Sequence, residues 1–168
     1  SLKKITNYSK PNGSGLVEIG KFDYVKDLCN QVTSVDFKLN QGNKIYGYDS
    51  MSQLTSEERF DKEENSLSRK EYAYDAVGNR QWRDTSVNSG PTTRETYEYY
   101  TVQSGSSNIP DQLKSVKVGT QTIYYFTYDA RGNMVRKYYG DQNSGTYDQY
   151  TWDIRDRLTK VRKVTPTQ

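Results

Sequence analysis

The tetrapeptide Tyr46-Gly47-Tyr48-Asp49 returns as Tyr72-Ala73-Tyr74-Asp75, as Phe126-Thr127-Tyr128-Asp129 and as Tyr150-Thr151-Trp152-Asp153. A chain made of near copies folds as a stack of near-identical units, so this recurrence limits the fold more than any other feature. The four Asp residues are separated by 26, 54 and 24 positions. The middle gap is about twice the others and predicts a degenerate copy between residues 75 and 129. Asn108 fills that place, because Leu113 follows it at the offset of Leu54 after Asp49, Met134 after Asp129 and Leu158 after Asp153. Upstream, Phe22-Asp23 followed by Val32-Thr33-Ser34-Val35 reads as a further copy with a longer turn.

The motif has a direct physical reading. Aromatic residues at i and i+2 share one face of a strand, and aromatic rings favour strands. In Asp75-Ala76-Val77-Gly78-Asn79 and Asp129-Ala130-Arg131-Gly132-Asn133, Asp opens a turn and Gly closes it. That is a type I turn followed by a left-handed residue, with the Asp carboxylate accepting from the turn's own backbone. Two copies depart from the pattern: Asp156 stands at the Gly position after Asp153, and Ser52 stands there after Asp49.

A second set of turn signals alternates with the first: Asn40 to Asn43, the charged loop Asp61 to Asn65, Val87 to Pro91, Gly119-Thr120 and Asp141 to Gly145. The strands between them are predicted at 16–22, 32–39, 44–48, 53–60, 67–74, 80–87, 92–103, 112–118, 121–128, 133–140, 146–152 and 157–164. Short loops join antiparallel neighbours, so the expected class is all-β: up-and-down hairpin repeats in a long meander. Open sheets rarely exceed about ten strands without curling, so strong curvature is expected, with self-association at the free edges. Residues 1–15 read as a loose lead-in, 16–164 as a single repeat region and 165–168 as a cut tail.

Composition sharpens this reading. Leu, Ile, Val and Phe together number thirty of 168 residues, which is below the fraction at which a highly charged chain is expected to be disordered. The net charge is only +3, however, and Tyr alone numbers sixteen, so Tyr is the expected core residue. With no His and one Cys, histidine-based catalysis, histidine metal sites and an intrachain disulfide are all excluded. The near-balance of acids and bases argues against a nucleic-acid partner. No apolar run reaches the length of a membrane helix, and no signal peptide is visible. Cys29 reads as a bystander thiol. The cluster Arg155, Arg157, Lys160, Arg162 and Lys163 reads as a solvated or charged edge, with contact to a polyanion as the minor alternative.

The run Tyr72-Ala-Tyr-Asp-Ala-Val-Gly-Asn-Arg80, its counterpart Phe126 to Met134, and the return signatures Val32-Thr33, Leu54-Thr55 and Leu158-Thr159 together resemble the YD repeat, also called the RHS repeat. The resemblance covers most of residues 20–164. It implies an exported or cell-surface protein whose hairpins supply the wall of a hollow shell, in toxins enclosing a C-terminal effector domain. It also implies flanking YD repeats as partners and carbohydrate binding as an attributed activity. The Asp-Pro-rich motif at which family toxins cut themselves has no counterpart here, so no cleavage residues carry over.

The motif residues Tyr48, Asp49, Tyr74, Asp75, Gly78, Asn79, Tyr128, Asp129, Gly132, Asn133, Trp152 and Asp153 read as turn formers and packing rings. Calcium binding and glycosidase-type catalysis by Asp49, Asp75, Asp129 and Asp153 are the alternatives. No residue is assigned to catalysis, a cofactor or a metal. Tyr99, Tyr100, Tyr124, Tyr125, Tyr138 and Tyr139 come as adjacent pairs, so one ring of each pair faces away from the other. They are the candidate ligand face: packing is the plain reading, and a carbohydrate platform the alternative.

Overall fold

The computed structural model describes residues 4–9, 17–37, 42–101 and 110–166. Thirteen antiparallel strands follow one another in chain order in one open sheet. They are β1 (Lys4–Ser9), β2 (Val17–Lys26), β3 (Val32–Phe37), β4 (Asn43–Tyr48), β5 (Leu54–Phe60), β6 (Ser66–Tyr74), β7 (Arg80–Val87), β8 (Thr93–Tyr99), β9 (Leu113–Val118), β10 (Gln121–Tyr128), β11 (Met134–Tyr139), β12 (Tyr147–Trp152) and β13 (Leu158–Val164). The all-β hairpin meander is therefore the architecture. By backbone contacts the chain divides into two compact units, residues 1–73 with 83–93, and residues 74–82 with 94–168.

Three details differ from the sequence reading. Lys4–Ser9, within the expected lead-in, forms β1 against β2; the ten-residue β2 offers a ladder long enough to take it. Asp23 lies inside β2, paired with Asp36, and the turn opens four residues later at Asp27. Asn108 lies outside the described residues, as do residues 40 and 41 of the turn expected at 40–43. The fourth motif turn opens instead at Tyr100, which exchanges backbone bonds with Asp111 and Gln112.

The motif turns share one geometry. At Asp75 the backbone N–H donates to the Asn79 carbonyl at 2.9 Å, and the Gly78 N–H donates to the Asp75 carbonyl at 3.1 Å. Turns at Asp27, Asp49, Asp129 and Asp153 repeat this exchange, and so does Asp61, within the stretch read as a charged loop. The closing residue is left-handed each time, as Asn30, Ser52, Glu64, Gly78, Gly132 and Asp156 all have positive φ. A bulge immediately precedes the turn residue, at Val25/Lys26, Gly47/Tyr48, Arg59/Phe60, Glu98/Tyr99, Thr127/Tyr128 and Thr151/Trp152. The result is a three-residue hairpin loop with a bulge. It also explains the Leu-Thr return signature: Thr159 is the extra residue of its bulge, and its hydroxyl donates to the Thr151 carbonyl at 3.0 Å. Thr33 does the same for Val25 at 3.4 Å.

The core is thin. Among the described residues only Val35, Val116, Phe126 and Tyr138 are buried apolar side chains. Ser115 is buried as well, its hydroxyl donating to Glu98 Oε2 at 2.7 Å. At Gly42, φ is +81° and an added Cβ would run into the Phe60 carbonyl oxygen. Gly42→Ala is therefore expected to destabilise the chain by about 2 kcal/mol or more, measured by urea unfolding.

Candidate functional site

The repeated elements assemble two structures: a clamp between hairpins, and a rim of turns. In the first unit the Tyr48 hydroxyl donates to the Val32 carbonyl at 2.9 Å. In the second, Tyr99 donates to the Arg80 carbonyl at 2.9 Å, Tyr128 to the Leu113 carbonyl at 2.9 Å and the Trp152 indole to the Met134 carbonyl at 2.8 Å. Each donor immediately precedes a motif turn, and each acceptor is the first residue of the previous hairpin's return strand. The bulge re-aims the ring so that it crosses the seam. Burial pushes the Tyr128 hydroxyl up from 10.0 to about 12, with the nearby Tyr99 adding to it. Tyr99 and Tyr48 are raised by the same cause, Tyr48 with a further contribution from Asp27.

On the rim, the Asp carboxylates cap their own turns. Asp129 Oδ1 accepts the N–H groups of Arg131 and Asn133, both at 2.9 Å, and Asp75 Oδ1 accepts those of Val77 and Asn79 at 3.0 and 2.8 Å. Desolvation raises the Asp75 and Asp129 carboxyls, but the hydrogen bonds received from Asn79 and Asn133 and their neighbours outweigh it, and both groups fall below the usual range. At Asp153 the bonds from the Arg157 backbone and side chain lead the same downward shift. Asp49 Oδ1 caps its own turn, accepting the N–H groups of Met51 and Gln53, both at 2.9 Å.

Neighbouring turns also bond laterally. Asn79 Nδ2 donates to Asp111 Oδ1 at 3.0 Å, and Asn133 Nδ2 donates to Asp156 Oδ1 at 2.7 Å. Arg131 adds an ion pair to Asp156 at 3.6 Å and a bond to the Ile154 carbonyl at 3.2 Å. Asp at the Gly position is thus a lateral acceptor for the Asn of the preceding repeat. Sequence reading missed this role, along with the turn roles of Asp27 and Tyr100. The signal was present: the residue three before the turn is aromatic in all six motif copies, namely Tyr24, Tyr46, Tyr72, Tyr97, Phe126 and Tyr150. Aligning on that ring locates the turns at Asp27 and Tyr100 even where the other signatures are lost.

The six candidate ligand-face rings separate. Tyr125 and Tyr138 are cross-strand partners with centroids 6.2 Å apart, and Tyr138 continues to Tyr147 at 5.2 Å. The Tyr100 hydroxyl joins this side, donating to the Phe126 carbonyl at 2.9 Å and lying 3.1 Å from the Tyr125 hydroxyl. On the opposite face Tyr124 and Tyr139 pair edge-on at 5.9 Å. Lys137 Nζ sits 4.0 Å from the Tyr124 centroid, Lys163 Nζ sits 5.0 Å from that of Tyr139, and the Tyr139 hydroxyl donates to Asp148 at 2.7 Å. Tyr99 stands apart as a clamp. Cys29 is exposed in its turn. Among the described residues no three metal-capable side chains gather, and no helix is long and apolar enough to cross a membrane.

No protein-family model and no curated protein matches the chain. Solved structures do. The fold is similar to the crystal structure of TcdB2-TccC3-Cdc42, with a TM-score of 0.55 and 15% identity over 95% of this chain and 10% of that one. It is similar also to the crystal structure of TcdB2-TccC3, with a TM-score of 0.52, 15% identity and the same coverage. The chain spans about a tenth of the length of the chains it matches. At this identity the likeness is one of fold, an antiparallel β meander consistent with YD-repeat architecture.

Removing one clamp tests its contribution. Tyr128→Phe keeps the ring and leaves the Leu113 carbonyl without its donor, and is expected to cost about 1–2 kcal/mol in urea unfolding. Because folding raises the Tyr128 pKa, its contribution to stability is whole below pH 10 and is lost as pH climbs through about 12. The loss of stability of Tyr128→Phe over that window is therefore expected to be shallower than that of the wild type.

Proposed function

We propose that this chain is a non-enzymatic segment of an exported or cell-surface YD-repeat protein, contributing hairpins to a shell wall that encloses a C-terminal effector domain. The observation that carries the reading is the recurring clamp. At four motif turns the closing ring donates to its neighbour's backbone, and among the described residues few side chains are buried. Units of this kind draw their stability from adjacent units, as in other repeat arrays. The rim carboxylates serve their own turns, which supports a structural role for them. The fold likeness to much longer chains is in keeping with a segment of a larger wall. Electron microscopy of the longest natural product containing this segment is expected to show its strands in a closed wall around internal density. An open array with both faces in solvent would overturn the reading.

A second reading rests on Tyr139, which is 37% exposed and flanked by Lys163 and Asp148. It makes this face an adhesive contact for acidic carbohydrate at the cell surface. On a glycan array, binding that is lost in Tyr139→Ala and weakened by salt is expected if that reading holds, and uniform silence removes it.

A further inference from the structure

Four seams between hairpins obey one register. In β3·β4, Val35 pairs with Lys44; in β5·β6, Glu57 pairs with Lys70; in β9·β10, Val116 pairs with Tyr124; and in β11·β12, Lys137 pairs with Asp148. The first residue of each pair is the third after the start of its return strand. The second is the fifth before the next turn's Asp. In three of these seams a clamp also reaches the return strand's first carbonyl, at Val32, Leu113 or Met134.

β13 carries the acceptor half of this arrangement on an edge that no other strand covers among the described residues. Leu158 is its first residue and Val161 the third after it. Val161 is 55% exposed, whereas Val35 and Val116, at the same place in their repeats, are 7% and 4% exposed. The edge is also basic. Lys163 lies opposite Asp148 of β12, but Arg162 faces Gln149 and Lys160 faces Thr151. Seams here use charge: in β5·β6, Lys70 lies 3.3 Å from Glu57 and Arg69 lies 3.8 Å from Glu58. Two β13 edges brought together would oppose cation to cation, which disfavours self-pairing.

We propose that the outer edge of β13 is an acceptor for one antiparallel strand that ends in Tyr-Asp or Trp-Asp and carries carboxylates four and six residues before that Asp. Its aromatic residue donates to the Leu158 carbonyl, its carboxylates meet Lys160 and Arg162, and the residue between them covers Val161. This rests on the repeat-segment reading and adds the chemistry by which the partner strand is chosen.

The probe is a synthetic peptide of residues Ser66–Asp75 carrying Arg69→Glu, which places carboxylates at both positions and keeps Tyr74 before Asp75. Titrated into the 168-residue chain, it is expected to bind saturably and to slow amide hydrogen exchange along β13. The native peptide, with Arg69 opposite Arg162, is expected to bind at least tenfold more weakly at low salt. Tyr74→Phe in the peptide is expected to weaken binding about five- to tenfold. Absence of binding, protection at β1 in place of β13, indifference to Arg69→Glu, or a β13-paired dimer that excludes the peptide would each overturn the proposal. A closed wall seen by microscopy together with an unbound peptide would retire the acceptor and leave the wall reading standing. A bound peptide with an open array would do the reverse.

Discussion

The bond from a motif ring to the first carbonyl of the previous return strand is the interaction on which the rest of this sheet depends. A β-ladder fixes two strands through backbone groups alone and is indifferent to which strand is offered. The clamp adds a side chain of defined length, placed by a bulge and aimed at one carbonyl. Three features accompany it: the left-handed turn residue that permits the bulge, the Thr33 and Thr159 hydroxyls that satisfy a carbonyl beside their bulges, and the seam register shared by four seams. Without the bulge the ring would stand over its own strand, and the hairpins would share only a ladder.

The clamp also explains the reliance on Tyr. An aliphatic core residue contributes buried area only. A Tyr contributes area through its ring and a donor through its hydroxyl, so one residue can serve a face that is never fully sealed. The ladders Tyr125–Tyr138–Tyr147 and Tyr124–Tyr139 run across both faces of the second unit, and Arg136, Lys137 and Lys163 lie against their rings. This is how a chain with little Leu, Ile, Val and Phe avoids disorder, at the cost of a core in which Val35, Val116, Phe126 and Tyr138 are the buried apolar residues described.

Much of this was legible in the sequence. Period-two aromatic pairs ahead of Asp-x-x-Gly specified strand, turn and alternation, and nearly every strand lies close to its expected place. The misreadings share one cause: the Asp is the most visible residue of the motif but not its most constant. Asp23 is an ordinary strand residue, whereas Asp27 opens a turn with Asn30 in the left-handed position, behind a Lys where a ring was expected. At Tyr100 the loop is eight residues longer than at Asp75, and Asp111 and Gln112 still close it as Gly78 and Asn79 do, so the offset from Leu113 points to Asn108, inside the insertion. β1 carries no motif, and its pairing follows from the length of β2. The lateral bonds of Asn79 and Asn133 were out of reach, because they join residues 32 and 23 positions apart that only the seam register brings together.

Those lateral bonds bear on how such a chain avoids its most natural error. Strands that resemble one another can pair with the wrong copy, and each wrong pairing still satisfies a backbone ladder. The rim distinguishes the copies. Asn79 and Asn133 are each followed by a repeat that has Asp at the left-handed position, whereas Gln53 and Gln112 are followed by repeats that have Gly78 and Gly132 there. A hairpin that skipped its neighbour would set Asn79 beside Gly132 and lose its partner. The departures from perfect repetition, Asp for Gly and Gln for Asn, thus act as labels that keep an array of near copies in order.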